Sequence, residues 1–185
     1  MLETVKECLS QTITTMNYAK IDTCSMTNGD GMGVDLFVSG CSLCCRGCFN
    51  KKAQDPQYGQ EFTEDTLDTL LDALKSPYIE RLSILGGDPL EPYNKHAVEQ
   101  ILKRVRDVYG DTKRIWLWTG RTYEDIKDEP ILDYVDVLID GKFELDKKEK
   151  HEYHGSSNQR VFRIFHRVSC GHDAEIVRQG SPFRD

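Results

Sequence analysis

Four short apolar runs, at residues 34–38, 81–85, 114–118 and 134–139, each stop at a tight turn, and the stretches between them carry apolar residues at helical spacing. Leu67, Leu70, Leu71 and Leu74 recur at i, i+3, i+4 and i+7 behind Thr63, a good N-cap, with Glu64 and Asp65 suited to the positive end of a helix. Val98, Ile101, Leu102, Val105, Val108 and Tyr109 form a second such stripe, closed by Gly110 as its C-cap. A strand that reaches its neighbour through a helix must run parallel to it, so the pattern predicts an α/β fold. Four such units are too few for a closed eight-stranded barrel. The expected architecture is a partial (βα) barrel, an open and curved parallel sheet with helices on its outer face.

The turns that end the runs carry the unusual residues. Cys41, the 86–89 Gly-Gly-Asp-Pro turn, Thr119-Gly120 and Asp140-Gly141-Lys142 each lie just past the C-terminal end of an expected strand. That rim is where barrel and open α/β folds bind ligands. A further strand is expected at 160–165. The chain of 185 residues divides into an N-terminal extension at 1–15, a domain at 16–165 and a tail at 166–185 containing Cys170 and His172.

Cys41, Cys45 and Cys48 form the spacing C-x3-C-x2-C. Three thiolates leave one iron of a four-iron cluster open, whereas ferredoxin-type clusters are capped by four and only pass electrons. An open position can bind a substrate, as in a catalytic metal site. Read as Cys41-x2-Cys44 and Cys45-x2-Cys48, the run also resembles two zinc knuckles end to end. Four-cysteine zinc sites usually separate their pairs by roughly 15 to 20 residues, however, and here Cys44 adjoins Cys45. A disulfide framework fits poorly with seven cysteines, an odd count. Unpaired thiols, no signal-like apolar core in the first sixteen residues and no stretch of transmembrane length lead to an expected cytoplasmic protein without a membrane partner. Acidic residues outnumber basic ones by 31 to 24, which argues against a nucleic-acid face.

A cluster loop after one strand and a Gly-Gly-Asp-Pro turn after the next resemble the radical S-adenosylmethionine superfamily. The stretches at 36–41, 47–51, 86–90, 116–120, 140–143 and 155–159 are similar to the activating-protein family of anaerobic ribonucleoside-triphosphate reductase, over about residues 17–162. Phe49 stands where that family commonly has tyrosine, and Cys44 falls inside the x3 spacer.

The resemblance implies that Cys41, Cys45 and Cys48 ligate a [4Fe-4S] cluster whose fourth iron takes the amino and carboxylate groups of S-adenosylmethionine. Reductive cleavage then gives a 5′-deoxyadenosyl radical, which removes an α-hydrogen from one glycine of the partner reductase. A flavodoxin-like or other donor supplies the electron, and no catalytic side chain is expected beyond the two cofactors. Gly47, Cys48 and Phe49 are expected to border the adenine. Gly86 and Gly87 would allow close backbone approach to the methionine moiety, Asp88 would accept a hydrogen bond or cap the next element, and Lys142 would pair with the methionine carboxylate. Thr119, Asp140 and Asn158 are weaker candidates. Trp116 and Trp118 share a strand face and are assigned to packing, while His151, His154 and His166 are assigned structural or exposed positions. The absence of cysteine between Phe49 and Gly87 favours this activase over one for a formate-lyase type of glycyl-radical enzyme, which often carries extra cysteine pairs there. A non-catalytic iron-sulfur or zinc-binding module is the alternative from another class.

Overall fold

The computed structural model describes residues 13–166, 172–178 and 180–183. One eight-stranded sheet organises them, with strands β1 (Asn17–Ser25), β2 (Gly33–Val38), β3 (Gln60–Glu61), β4 (Arg81–Gly86), β5 (Arg114–Trp118), β6 (Val137–Asp140), β7 (Arg160–His166) and β8 (His172–Val177). Their order across the sheet is β3-β1-β2-β4-β5-β6-β7-β8. The four inner strands β2, β4, β5 and β6 pair in parallel, as the helical crossovers require. β1 and β3 on one side, and β7 and β8 on the other, pair antiparallel. The sheet is thus mixed, with the expected parallel unit at its centre.

Helices α1 (Glu64–Leu74) and α2 (Pro92–Tyr109) cover one face. The Thr66 amide donates to Thr63 Oγ1 at 3.3 Å, which fixes the start of α1. Pro92 opens α2, where its missing amide costs no bond, and Gly110 caps its end at φ 54°. Leu67, Leu70 and Leu74 of α1 and Val98, Ile101, Leu102 and Val105 of α2 are buried against Val34, Leu36, Leu82, Ile84 and Ile115. Truncating one such leucine to alanine would cost about 2–5 kcal/mol. The short helix α3 (Tyr123–Ile126) buries Ile126. No helix among the described residues is long and apolar enough to cross a membrane.

The opposite face of the sheet has its own smaller core, made by Trp116, Val137, Ile139, Tyr153 and Val161, with Trp118, Val177 and Phe183 beside it. Alternation along β5 puts both tryptophans here, stacked with ring centroids 5.9 Å apart. Near the start of β4, fully buried Arg81 donates to Asp35 Oδ1 at 2.6 Å and to Ser83 Oγ at 2.5 Å.

The sequence expectations differ from the structure at several boundaries. β6 begins at Val137, because Pro130–Tyr134 forms a 3-10 turn. β1 was not anticipated: two register shifts interrupt its pairing and its side chains show no clean alternation of burial. β8 adds an edge strand within the segment expected to be a tail. Of the expected extension, residues 1–12 lie outside the described residues, while Ile13 is buried in the helix-side core. Cys170 also lies outside the described residues, and His172 sits 3.1 Å from Asp133.

Candidate iron-sulfur site

Register places the site. Val38 pairs with Gly86, so β2 and β4 end level and deliver the cysteine loop and the double-glycine turn side by side. Two backbone hydrogen bonds join the segments, Gly87 N to Val38 O (2.7 Å) and Asp88 N to Gly40 O (2.8 Å), and two more close the cysteine loop on the residues that follow it, Gly40 N to Ala53 O (2.7 Å) and Cys41 N to Gln54 O (3.0 Å). A Cβ on Gly87 would stand 2.3 Å from Gly40 O, and one on Gly86, which has φ +110°, would stand 2.6 Å from Val38 O. Gly87 is therefore required by the close approach of the cysteine loop, and Gly86 by that of the end of β2.

Cys41, Cys45 and Cys48 are half-buried and line one cavity of about 840 Å3, together with Gly86, Gly87 and Phe49. The Cys48 amide donates to Cys45 O at 3.2 Å, making a tight turn between the second and third thiols. Burial pushes the Cys41 thiol up to about 11, with Asp88 and Glu91 adding in the same direction. Burial also raises Cys45, against the opposing charge of Lys142. A bound metal would overcome this reluctance to ionise, because a coordinating thiol is deprotonated outright. No three His, Cys, Asp or Glu side chains among the described residues converge so as to hold a single metal ion. A cluster makes a different demand, since each thiolate binds a separate iron. Cys44 is exposed, adopts φ +48° and does not line the cavity.

The other expected residues divide. Phe49 is 75% exposed at the cavity edge, packed edge-on to Phe143 with centroids 5.9 Å apart and with Lys148 Nζ over its ring at 5.4 Å. It is not a core phenylalanine. Gly47 adopts φ +77° with Leu145 close by, and does not itself line the cavity. Asp88 lines the cavity but its carboxylate is occupied: it accepts from Leu90 N at 2.8 Å, Gly120 N at 2.9 Å and Thr119 Oγ1 at 2.9 Å. It ties the turn after β4 to the turn after β5, and burial raises its pKa. Lys142 is exposed and outside the lining, though its backbone carbonyl accepts from Asn158 Nδ2 at 2.7 Å. Asp140 is buried and bonded to Arg160 and the Tyr123 amide, a structural role.

Several residues of the site were missed. Glu91, 3% exposed, accepts from both Ser42 N (2.8 Å) and Ser42 Oγ (2.6 Å), pinning the cysteine loop to the start of α2. Buried Asn94 donates to Ser39 O at 2.9 Å and Asp88 O at 3.0 Å, and Asn50 donates to Gly86 O at 3.2 Å. Polar residues directly after a Gly-Gly-Asp-Pro turn were the available signal for Glu91 and Asn94. His151 is exposed and His154 half-buried. They stack with centroids 3.8 Å apart and both line the cavity, because residues 148–155 form one of its walls.

The chain is similar to known proteins over most of its length. Residues 27–162 match the family model described as a 4Fe-4S single cluster domain. The anaerobic ribonucleoside-triphosphate reductase-activating protein of Enterobacteria phage T4 is 43% identical over 147 residues, covering 80% of this chain and 94% of the phage protein. The proteins of the same name from Pasteurella multocida and Escherichia coli K12 are 42% and 38% identical, covering 80% of this chain and 98% and 99% of their own lengths. With the cysteine loop, the double-glycine turn and these matches in agreement, the chain belongs to the family of anaerobic ribonucleoside-triphosphate reductase-activating proteins.

Proposed function

We propose that this chain is a radical S-adenosylmethionine enzyme that activates an anaerobic ribonucleoside-triphosphate reductase by generating a glycyl radical on it. The observation that carries this reading is the placement of Cys41, Cys45 and Cys48 in one cavity with the Gly86-Gly87 turn, at the C-terminal ends of parallel strands. The residues present suit the cofactors. Three thiols form one donor set, and a cavity of about 840 Å3 falls in the range that holds a cofactor-sized ligand, roughly 300–1,000 Å3. The four parallel strands with helices on one face support the reading of the fold as a partial (βα) barrel.

Cys41, Cys45 and Cys48 would hold a [4Fe-4S] cluster. With S-adenosylmethionine bound, the cluster would supply reductive cleavage chemistry and the hydrogen abstraction from a glycine of the partner. The protein's part is position and exclusion of water. Glu91, Asn94 and Asn50 hold the cysteine loop against the glycine turn. Asp88 locks the next turn to it through Thr119 and Gly120. Phe49 and Phe143 offer an apolar edge for a base. Lys142 is free to meet a carboxylate as a point charge. A reducing compartment such as the cytoplasm, and a flavodoxin-like or other electron donor, complete the reading.

Anaerobic reconstitution tests it. The expected result is roughly four irons and four sulfides per chain, reductive release of 5′-deoxyadenosine from S-adenosylmethionine, and a glycyl radical signal by electron paramagnetic resonance once the anaerobic reductase is added. A cluster inert toward S-adenosylmethionine, or no signal on the reductase, would overturn it.

A further inference from the structure

The family match ends at residue 162, yet the described chain continues and returns to the sheet face that carries the cavity. β8 pairs with β7 from Val161↔Val177 to His166↔His172. Beyond it, Phe183 packs edge-on to Trp116 with centroids 6.1 Å apart, and its ring lies under Arg114 at 4.2 Å and Arg163 at 5.5 Å. Ser181 donates through Oγ to Asp30 Oδ2, and the Phe183 amide donates back to Ser181 Oγ at 3.1 Å. Asp30 also accepts from the hydroxyl of Tyr153 on its other oxygen at 2.5 Å. One carboxylate in the loop between β1 and β2 thus joins the C-terminal segment to Tyr153.

Tyr153 belongs to the cavity wall. Its ring packs on Trp116 with centroids 5.2 Å apart, and its carbonyl accepts from Trp118 Nε1 at 2.8 Å. Two residues on, Gly155 lies against Phe143 and Phe49, with a Cβ there meeting Phe143 at 3.2 Å and Phe49 at 3.7 Å. An unbroken series of contacts therefore runs from Ser181 and Phe183 through Asp30 and Tyr153 to the aromatic pair beside the cysteine loop.

We propose that the segment at 180–183 is a strap that holds the 148–155 wall of the cavity, and that Ser181 and Phe183 are positioning residues for the ligand bound there. Its effect on the reaction rests on the function proposed above; its effect on the wall does not. Without the strap, the Asp30 carboxylate loses one partner and Trp116 loses one packed ring. Tyr153 then keeps the Asp30 bond and its contacts with the tryptophans as ties to other segments, beside the local bond from its amide to His151 Nδ1. The wall would sample more open positions, and a ligand in the cavity would meet a less organised surface.

The experiment compares the wild-type chain with Ser181→Ala, Phe183→Leu and Ser181→Thr, which keeps the hydroxyl. In the cofactor-free proteins, amide hydrogen exchange is measured at residues 148–155, where Glu149 N donates to Gly155 O and Gly155 N to Gln159 Oε1. In the reconstituted proteins, KM and kcat for S-adenosylmethionine cleavage are measured alongside iron content. The expected result for Ser181→Ala and Phe183→Leu is faster exchange confined to the wall. KM should rise about three- to ten-fold, the size of one lost hydrogen bond or contact, with unchanged iron content. Ser181→Thr should restore both readouts. Wild-type exchange in folded variants, or faster exchange with unchanged KM, overturns the proposal. If the wild-type chain cleaves no S-adenosylmethionine, the proposed function falls, and exchange alone decides whether the strap exists.

Discussion

Gly87→Ala tests the geometry of the site most directly, because Gly87 lacks a positive φ and the substitution changes only space. The added Cβ would sit 2.3 Å from Gly40 O, 2.9 Å from Gly40 C and 2.9 Å from Ala53 O. All three are backbone atoms, so no side chain can rotate away. Relief requires the turn after β4 and the cysteine loop to separate by about 1 Å, an overpacking change of a kind that costs about 1–3 kcal/mol. That separation also pulls on the bonds from Asp88 N to Gly40 O and from Gly40 N to Ala53 O, which hold the residue next to Cys41. For a domain of this size, the cost corresponds to a fall in Tm of roughly 5 °C. Thermal melting of the cofactor-free protein reads the strain, and iron content after anaerobic reconstitution reads the displaced loop. Both should fall. A Gly87→Ala protein with wild-type Tm and full iron content would refute the argument that the two turns are locked in backbone contact.

Other expectations follow from the same contacts. Alanine at Cys41, Cys45 or Cys48 should abolish the glycyl radical signal on the reductase, while Cys44→Ala should leave it intact, since Cys44 is exposed and outside the cavity; a Cys44→Ala protein unable to hold the cluster would reverse the ligand assignment. Asp35→Ala should lower urea stability by about 3–5 kcal/mol, because it leaves the fully buried Arg81 guanidinium without its carboxylate; a change below about 1 kcal/mol would mean that Ser83 and the backbone carbonyls suffice. Glu91→Gln keeps the shape but weakens a charged acceptor for Ser42, so iron content after reconstitution should drop with little change in helix content by circular dichroism. The Arg160 guanidinium holds Glu124 down at about 2, below its ordinary 4.5. The folded state therefore favours the ionised form, and this stabilisation is present above pH 4.5 and lost as pH falls toward 2. The Tm of Glu124→Gln should be flatter across that window than that of the wild type, and parallel curves would sink the assignment.

What sequence could and could not reveal follows from the range of the forces involved. The strands β2, β4 and β5 and the helices α1 and α2 were legible because each has a local cause: a run of apolar residues, a stripe at helical spacing, Thr63 at one end and Gly110 at another. The cysteine loop and the glycine turn were legible for the same reason, as both are continuous in sequence. β1 and β8 were not, since their residues show weak alternation and become strands only by pairing with β2 and β7. Asp88 shows the limit most clearly. Its position in the turn was evident, but its partners Thr119 and Gly120 lie more than thirty residues away, and they convert a possible ligand contact into a tie between two turns. The densely charged stretch at 144–152, which supplies much of the wall, has the local composition of a solvated loop or short helix. The wall lines the cavity because Tyr153 is anchored by Trp118 and Trp116 of β5 and by Asp30 of the β1–β2 loop, two other segments that no local pattern connects. In this chain the chemistry-bearing residues are local motifs, whereas the groups that hold them are long-range. Substitutions at the holders, more than at the motifs, therefore separate a site that merely contains the right residues from one that keeps them in place.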